Sequence, residues 1–147
     1  MSARECYFHV HGLPAPQGSK RHVGRGVMIE SSKRVAPWRE AVKWAAIETM
    51  RAQRITRPLD GPLSVRMVFA LPRPASAPRS RRHPDRKPDL DKLLRSTMDA
   101  LTDAGLIADD ARVVEFTRLA KVYAFDGPGG VDFVGAVIHV AMMEDGA

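Results

Sequence analysis

The densest chemistry in this chain lies in Lys87-Pro88-Asp89-Leu90-Asp91-Lys92-Leu93-Leu94-Arg95. Two carboxylates stand two residues apart just after a proline, and a guanidinium follows one helical turn beyond the second. Proline biases the residue before it away from helical geometry, so Asp89 is expected at a junction between extended chain and helix. Inside a helix, an i, i+2 pair would splay by about 200°. With Asp89 still extended, the two side chains can converge on one ion. The helix N-terminus adds a positive dipole and free N–H groups, which hold carboxylates or a phosphate in place. A further pair, Asp109-Asp110, returns in a loop before the next strand. Three or four carboxylates without His or Cys describe a hard-oxygen site that selects Mg²⁺ or Mn²⁺ over Zn²⁺. A cation there would neutralise phosphate charge, orient water and stabilise a leaving oxygen. Plainer readings exist for each part: Asp89 as a helix cap, Asp91 as the ion-pair partner of Arg95, Asp109-Asp110 as a turn.

The charge distribution favours the chemical reading. The net charge is +6, and basic domains favour polyanionic partners, most often nucleic acid. Six of the eleven aspartates fall between Asp89 and Asp110, with only Lys92 and Arg95 to offset them. That block carries −4 and the rest of the chain +10. Immediately upstream, residues 73 to 88 hold six Lys or Arg against one Asp. Solubility needs no such segregation, because interspersed charges serve it equally well. A nuclease does need it, with cations for phosphates and carboxylates for a divalent metal. Arg79, Arg81, Arg82, Arg86 and Lys87 are therefore candidate phosphate contacts, and Lys20, Arg21 and Arg25 in an earlier loop are similar.

These residues need a scaffold, and 147 residues suffice for one domain with a real core. No apolar run approaches the roughly 18 residues of a membrane span, and the N-terminus lacks the long apolar region of a signal peptide. The single Cys6 excludes an intramolecular disulfide framework and favours a reducing, cytoplasmic setting. A first strand is expected at residues 6–11, then a long basic, Gly-rich loop over 12–34 with a brief strand near Val27 to Ile29. The i, i+3, i+4 spacing of Trp38, Ala41, Val42, Ala45 and Ala46 predicts a helix over 37–53. Residues 63–71 form a second strand, and the five prolines of 72–88 require an exposed loop. A second helix runs from about Leu90 to Thr102 and stops near Gly105. Strands over 113–124 and 132–142 follow, with Gly127-Pro128-Gly129-Gly130 between them reading as a hairpin loop. The order β-α-β-α-β-β predicts an α+β fold, two helices packed on a small mixed four-stranded sheet. Trp38, Trp44 and Met98 are expected in the core. His9 and His11 on the first strand and His139 on the last lack a spacing that enforces metal binding.

The run PDLDKLLRSTMDAL, followed seven residues later by DDARVVEFTRLAKVYA, resembles the core of the RusA-type Holliday-junction resolvases, small Mg²⁺-dependent endonucleases common in phages and prophages. The likeness covers about residues 86 to 123. It implies a homodimer that grips a four-way DNA junction and hydrolyses two symmetric strands, in recombination and repair. It places catalytic, metal-binding carboxylates at Asp89, Asp91 and Asp110, with Asp109 as a neighbour. Where the family often has lysine, this chain has Arg95, which can hold a phosphate but does not readily lose a proton. Lys121 matches a basic position of the family's third strand and is taken as a phosphate contact. Two other functions fit the same residues: a Mg²⁺ nuclease for flaps or RNA, and a non-catalytic DNA-binding module whose aspartates only cap and pair.

Overall fold

The computed structural model describes residues 4–17, 20–22, 28–30 and 33–144. Its elements are β1 (Glu5–His11), β2 (Lys20–His22), β3 (Met28–Glu30), α1 (Val35–Gln53), β4 (Leu63–Leu71), α2 (Leu90–Asp103), a 3₁₀ turn (Asp110–Arg112), β5 (Val113–Tyr123) and β6 (Gly135–Met142). Two helices and a four-stranded mixed sheet thus follow the order read from the sequence. The brief strand expected near Val27 is β3, paired with β2 as a separate two-stranded ribbon within the first long loop.

The main sheet runs β1-β6-β4-β5, with β4 and β5 parallel and the other two pairings antiparallel. This corrects the hairpin expected between the last two strands. β6 lies between β1 and β4, while β5 pairs with β4 on the far side. The Gly127–Gly130 segment therefore belongs to a connection passing the carboxyl end of β4. Tyr123 ends beside Leu71, and β6 begins with Gly135 beside Ala70. Gly135 itself is required there: its φ is +154°, and a Cβ would fall 1.8 Å from the carbonyl oxygen of Val10.

Alternation along the strands sends one face of the sheet to the helices. Cys6, Phe8 and Val10 of β1, Leu63, Val65, Met67 and Phe69 of β4, and Ala136, Ile138 and Val140 of β6 share one core. α1 meets them with Trp38, Val42, Ala46 and Met50, at i, i+4 spacing, and α2 with Leu93, Met98, Ala100 and Leu101. Trp38 is 2 % exposed, and its indole Nε1 donates to Thr97 Oγ1 at 3.0 Å, tying the helices together inside the core. Met98 is buried, but Trp44 is not the core residue expected: it is 50 % exposed, with Nε1 donating to Glu40 Oε2 at 3.0 Å. Burial pushes the Cys6 thiol up to about 11, so it stays protonated and inert at neutral pH. Among the described residues no helix is long and apolar enough to cross a membrane.

α2 forms the crossover between parallel strands β4 and β5. The proline-rich loop leaves the carboxyl end of β4, and α2 opens at that end of the sheet, where open α/β arrangements place ligands.

Candidate nucleic-acid and metal site

Asp89 sits at the junction expected of it. Its backbone is extended (φ −69°, ψ 137°) and α2 begins with the next residue. Its carbonyl oxygen accepts the first helical bonds, from the N–H groups of Lys92 at 3.2 Å and Leu93 at 3.0 Å. Its carboxylate makes no capping hydrogen bond, and among the described residues its one ion-pair partner is Lys92 Nζ, at 3.5 Å. The helix-cap alternative therefore leaves the side chain unaccounted for. Asp91 and Arg95 are both exposed, and neither has an ion pair or side-chain hydrogen bond among the described residues. The Asp91–Arg95 ion pair is thus not formed. Two carboxylates and a guanidinium remain available to solvent at the positive end of α2.

The opposite end of α2 is occupied differently. Gln17 Nε2 donates to Asp99 Oδ2 at 2.5 Å, and Arg39 reaches from α1 to Asp103 Oδ2 at 2.7 Å and to Gln17 Oε1 at 3.3 Å. Gln17 also donates its backbone N–H to Lys92 O, and Ser96 Oγ donates to Ala15 O. The segment entering the first long loop is thereby stitched along α2. Asp109 caps the 3₁₀ turn, accepting from the Ala111 N–H at 2.8 Å, which is the turn reading given to it above. Asp110 accepts from Thr102 Oγ1 at 2.8 Å. Thr102 lies eleven residues beyond Asp91, about 16 Å along the helix axis. One protomer therefore does not bring Asp110 to Asp89 and Asp91. Among the described residues no three His, Cys, Asp or Glu side chains are grouped to hold one metal ion. His9, His11 and His139 follow the same statement; His9 meets the Tyr7 hydroxyl and His139 meets Glu5.

Lys121 joins β5 to the N-terminal end of α2. Its Nζ donates to the carbonyl oxygens of Arg86 at 2.6 Å and Pro88 at 2.8 Å, pinning the segment that delivers Asp89. Two donors of this ammonium are thus committed to backbone, and one remains for an anion. In the basic loop, Arg81 and Arg86 approach Asp85 at 3.9 and 2.9 Å. Arg79, Arg82 and Lys87 are exposed, without ion pairs among the described residues. Lys20 lies on β2, and the side chains of Lys20 and Arg21, like Arg25 as a whole, fall outside the described residues.

Arg39, Gln17 and Thr102 were not singled out by sequence. Each acts on an acidic side chain from a distant segment or from a helix turn with no spacing signal: Gln17 and Asp99 are 82 residues apart.

A model of the family described as Endodeoxyribonuclease RusA matches residues 11–129. No curated protein matches the chain.

Proposed function

The chain belongs to the RusA endodeoxyribonuclease family, nuclease hydrolases whose membership implies Holliday-junction resolvase activity, and from that premise we propose how this chain performs it. It acts as a homodimer that binds a four-way DNA junction and hydrolyses one phosphodiester in each of two symmetric strands, with Mg²⁺ as cofactor and Mn²⁺ as a substitute. The observation that carries this reading is the state of Asp89 and Asp91: adjacent at a helix N-terminus, exposed, and not consumed by a cap or by Arg95. An all-oxygen donor pair of that kind fits a hard divalent cation. When bound, the cation supplies charge neutralisation at the phosphate and an acidified water.

The protein's own groups do the rest. Arg95 is placed to brace the phosphate through its planar donor fork and to oppose charge that develops on it. Exposed Arg79, Arg82 and Lys87, with Arg81 and Arg86, hold the arms by backbone phosphates and carry no sequence readout. Lys121 positions Asp89 through the Arg86 and Pro88 carbonyls and offers its remaining donor to an adjacent phosphate.

The third carboxylate is Asp110 of the partner subunit. A two-fold axis that sets two copies of α2 antiparallel brings the N-terminal end of one against the C-terminal end of the other, so each protomer completes its neighbour's site. The separation of about 16 Å between Asp91 and the Thr102–Asp110 pair within one protomer supports this arrangement.

The test is cleavage of a labelled four-way junction with and without Mg²⁺, for wild type and Asp91→Asn. Mg²⁺-dependent paired cuts by wild type, and junction binding without cutting by Asp91→Asn, are expected. Full cutting by the variant overturns the assignment. Binding without cutting by wild type identifies a DNA-binding module instead, and preferential cutting of flaps or RNA identifies a different nuclease.

A further inference from the structure

Immediately before Asp89 lies a half-open, largely apolar cavity. It has a volume of about 270 Å³, and its walls include Leu13, Ala15, Leu71, Pro84, Pro88 and Tyr123. Arg86 and Lys87 stand at the same cavity and are exposed. The volume lies just below the roughly 300 Å³ at which small-molecule pockets begin, so it admits one flat ring system and little more. Its lining is aliphatic and proline-rich, matching the apolar faces of an aromatic ring.

Besides Arg34, Arg86 and Lys87, one more residue with a polar group, Tyr123, lines the cavity. Tyr123 pairs in register with Leu71 at the ends of β5 and β4, so both side chains lie on the helix-facing side of the sheet, where both border the cavity. Tyr123 is 3 % exposed, and its hydroxyl has no hydrogen-bond partner among the described residues. A buried hydroxyl left unmade is costly, and a ligand with a donor or acceptor on its edge satisfies it. Arg73 covers the ring's face, its guanidinium 4.9 Å from the centroid.

We propose that this cavity is a nucleobase pocket that receives one unstacked base next to the cut phosphate, with the Tyr123 hydroxyl reading its edge. The inference rests on the nuclease reading and adds to it a source of base preference. Three features select a nucleotide over another apolar ligand. Pro88 forms the wall and Asp89 follows by one residue, a Cα step of about 3.8 Å, so a base in the pocket keeps its own phosphate within reach of the carboxylates. The Arg86 and Lys87 rim matches a ligand that carries phosphate on both sides of its sugar. A junction also offers bases at its crossover whose stacking is already interrupted, so extrusion costs less than from a continuous duplex.

The experiment uses full-length wild-type protein, Tyr123→Phe and Leu13→Trp with Mg²⁺. Substrates are junctions in which the nucleotide on either side of the cut is varied over four bases or made abasic. An abasic nucleotide at the pocketed position should slow cleavage about tenfold, and an abasic nucleotide in a distal arm should not. Tyr123→Phe should bind junctions within about twofold of wild type but flatten the base preference about fivefold. Leu13→Trp, which fills the cavity, should reproduce the abasic effect on intact DNA. Normal cutting of both abasic junctions overturns the proposal, and needs no variant to fold. A base preference unchanged in Tyr123→Phe also overturns it. If abasic junctions are cut normally while Leu13→Trp dissociates the dimer, the occupant is a side chain of a second copy, and the proposal fails. Failure of wild type to cut any junction removes the nuclease reading itself, a different result from cutting without base preference.

Discussion

The two ends of α2 carry similar residues in opposite condition. At the C-terminal end, Asp99, Asp103 and Asp109 are committed to Gln17, Arg39 and the Ala111 N–H, and Asp110 is oriented by Thr102. At the N-terminal end, Asp91 and Arg95 have no partner among the described residues, and the one ion-pair partner of Asp89 there is Lys92. A single −4 block thus divides into aspartates that hold the fold together and aspartates that the fold leaves open. Leaving carboxylates without partners at a well-ordered helix start contributes little to stability, whereas a site for cations and phosphate needs them unpaired. The division also shows why charge alone misleads: four of the six aspartates are already hydrogen-bonded within the fold.

The sharpest way to break this comparison is to neutralise one residue at each end. Asp91→Asn should lower Mg²⁺-dependent junction cleavage by at least about a thousandfold, the scale on which one member of a catalytic constellation acts, with unchanged gel-shift affinity. Asp110→Asn should cost cleavage as much while altering the free energy of unfolding in urea by no more than about 0.5 kcal/mol, since the amide oxygen still accepts from Thr102. Next in size is Lys121→Met, which frees the Arg86 and Pro88 carbonyls. Cleavage should fall about tenfold through misplacement of Asp89, a loss in kcat more than in junction binding. Arg39→Met should do the reverse, lowering stability in urea by about 1 kcal/mol with single-turnover cleavage by the folded protein unchanged. Asp103→Asn should show the smallest effect, about 0.5 kcal/mol, as befits a half-exposed ion pair. Loss of cleavage from Arg39→Met or Asp103→Asn would erase the distinction between the two ends.

How much of this was legible depended on whether the cause was local. β4 was read without error because nine residues of apolar character are bracketed by Pro62 and Pro72. The start of α2 was equally plain, since Pro88 bars helix from the residue before it and the apolar stripe begins at Leu90. The hairpin misreading had the opposite origin. Gly127–Gly130 has turn composition, but composition does not say which strand comes back, and β6 pairs with β1 from the other end of the chain. Trp44 was misplaced because apolar type outweighed its position off the buried stripe, where Glu40 one turn earlier holds its N–H. At the site, the placement of Asp89 and Asp91 at the exposed start of α2 was visible in their spacing after Pro88. The partners of Asp99 and Asp103 were not, because Gln17 and Arg39 arrive from distant segments. The distance of Asp110 from Asp91 was hidden for the same reason: sequence gives the length of α2 but not which end the returning loop reaches.

The account stands most directly on whether each site is built from two protomers, and mixing two inactive variants measures it. Asp91→Asn and Asp110→Asn proteins are each expected to be dead; after subunit exchange, half the dimers carry one of each. If Asp110 serves the partner's site, every such heterodimer has one site with both substitutions and one intact site, so the mixture regains Mg²⁺-dependent nicking of one strand per junction, at about a quarter of the wild-type site concentration. If both heterodimer sites are damaged and the mixture stays as inactive as its components, Asp110 acts within its own protomer and the account is wrong.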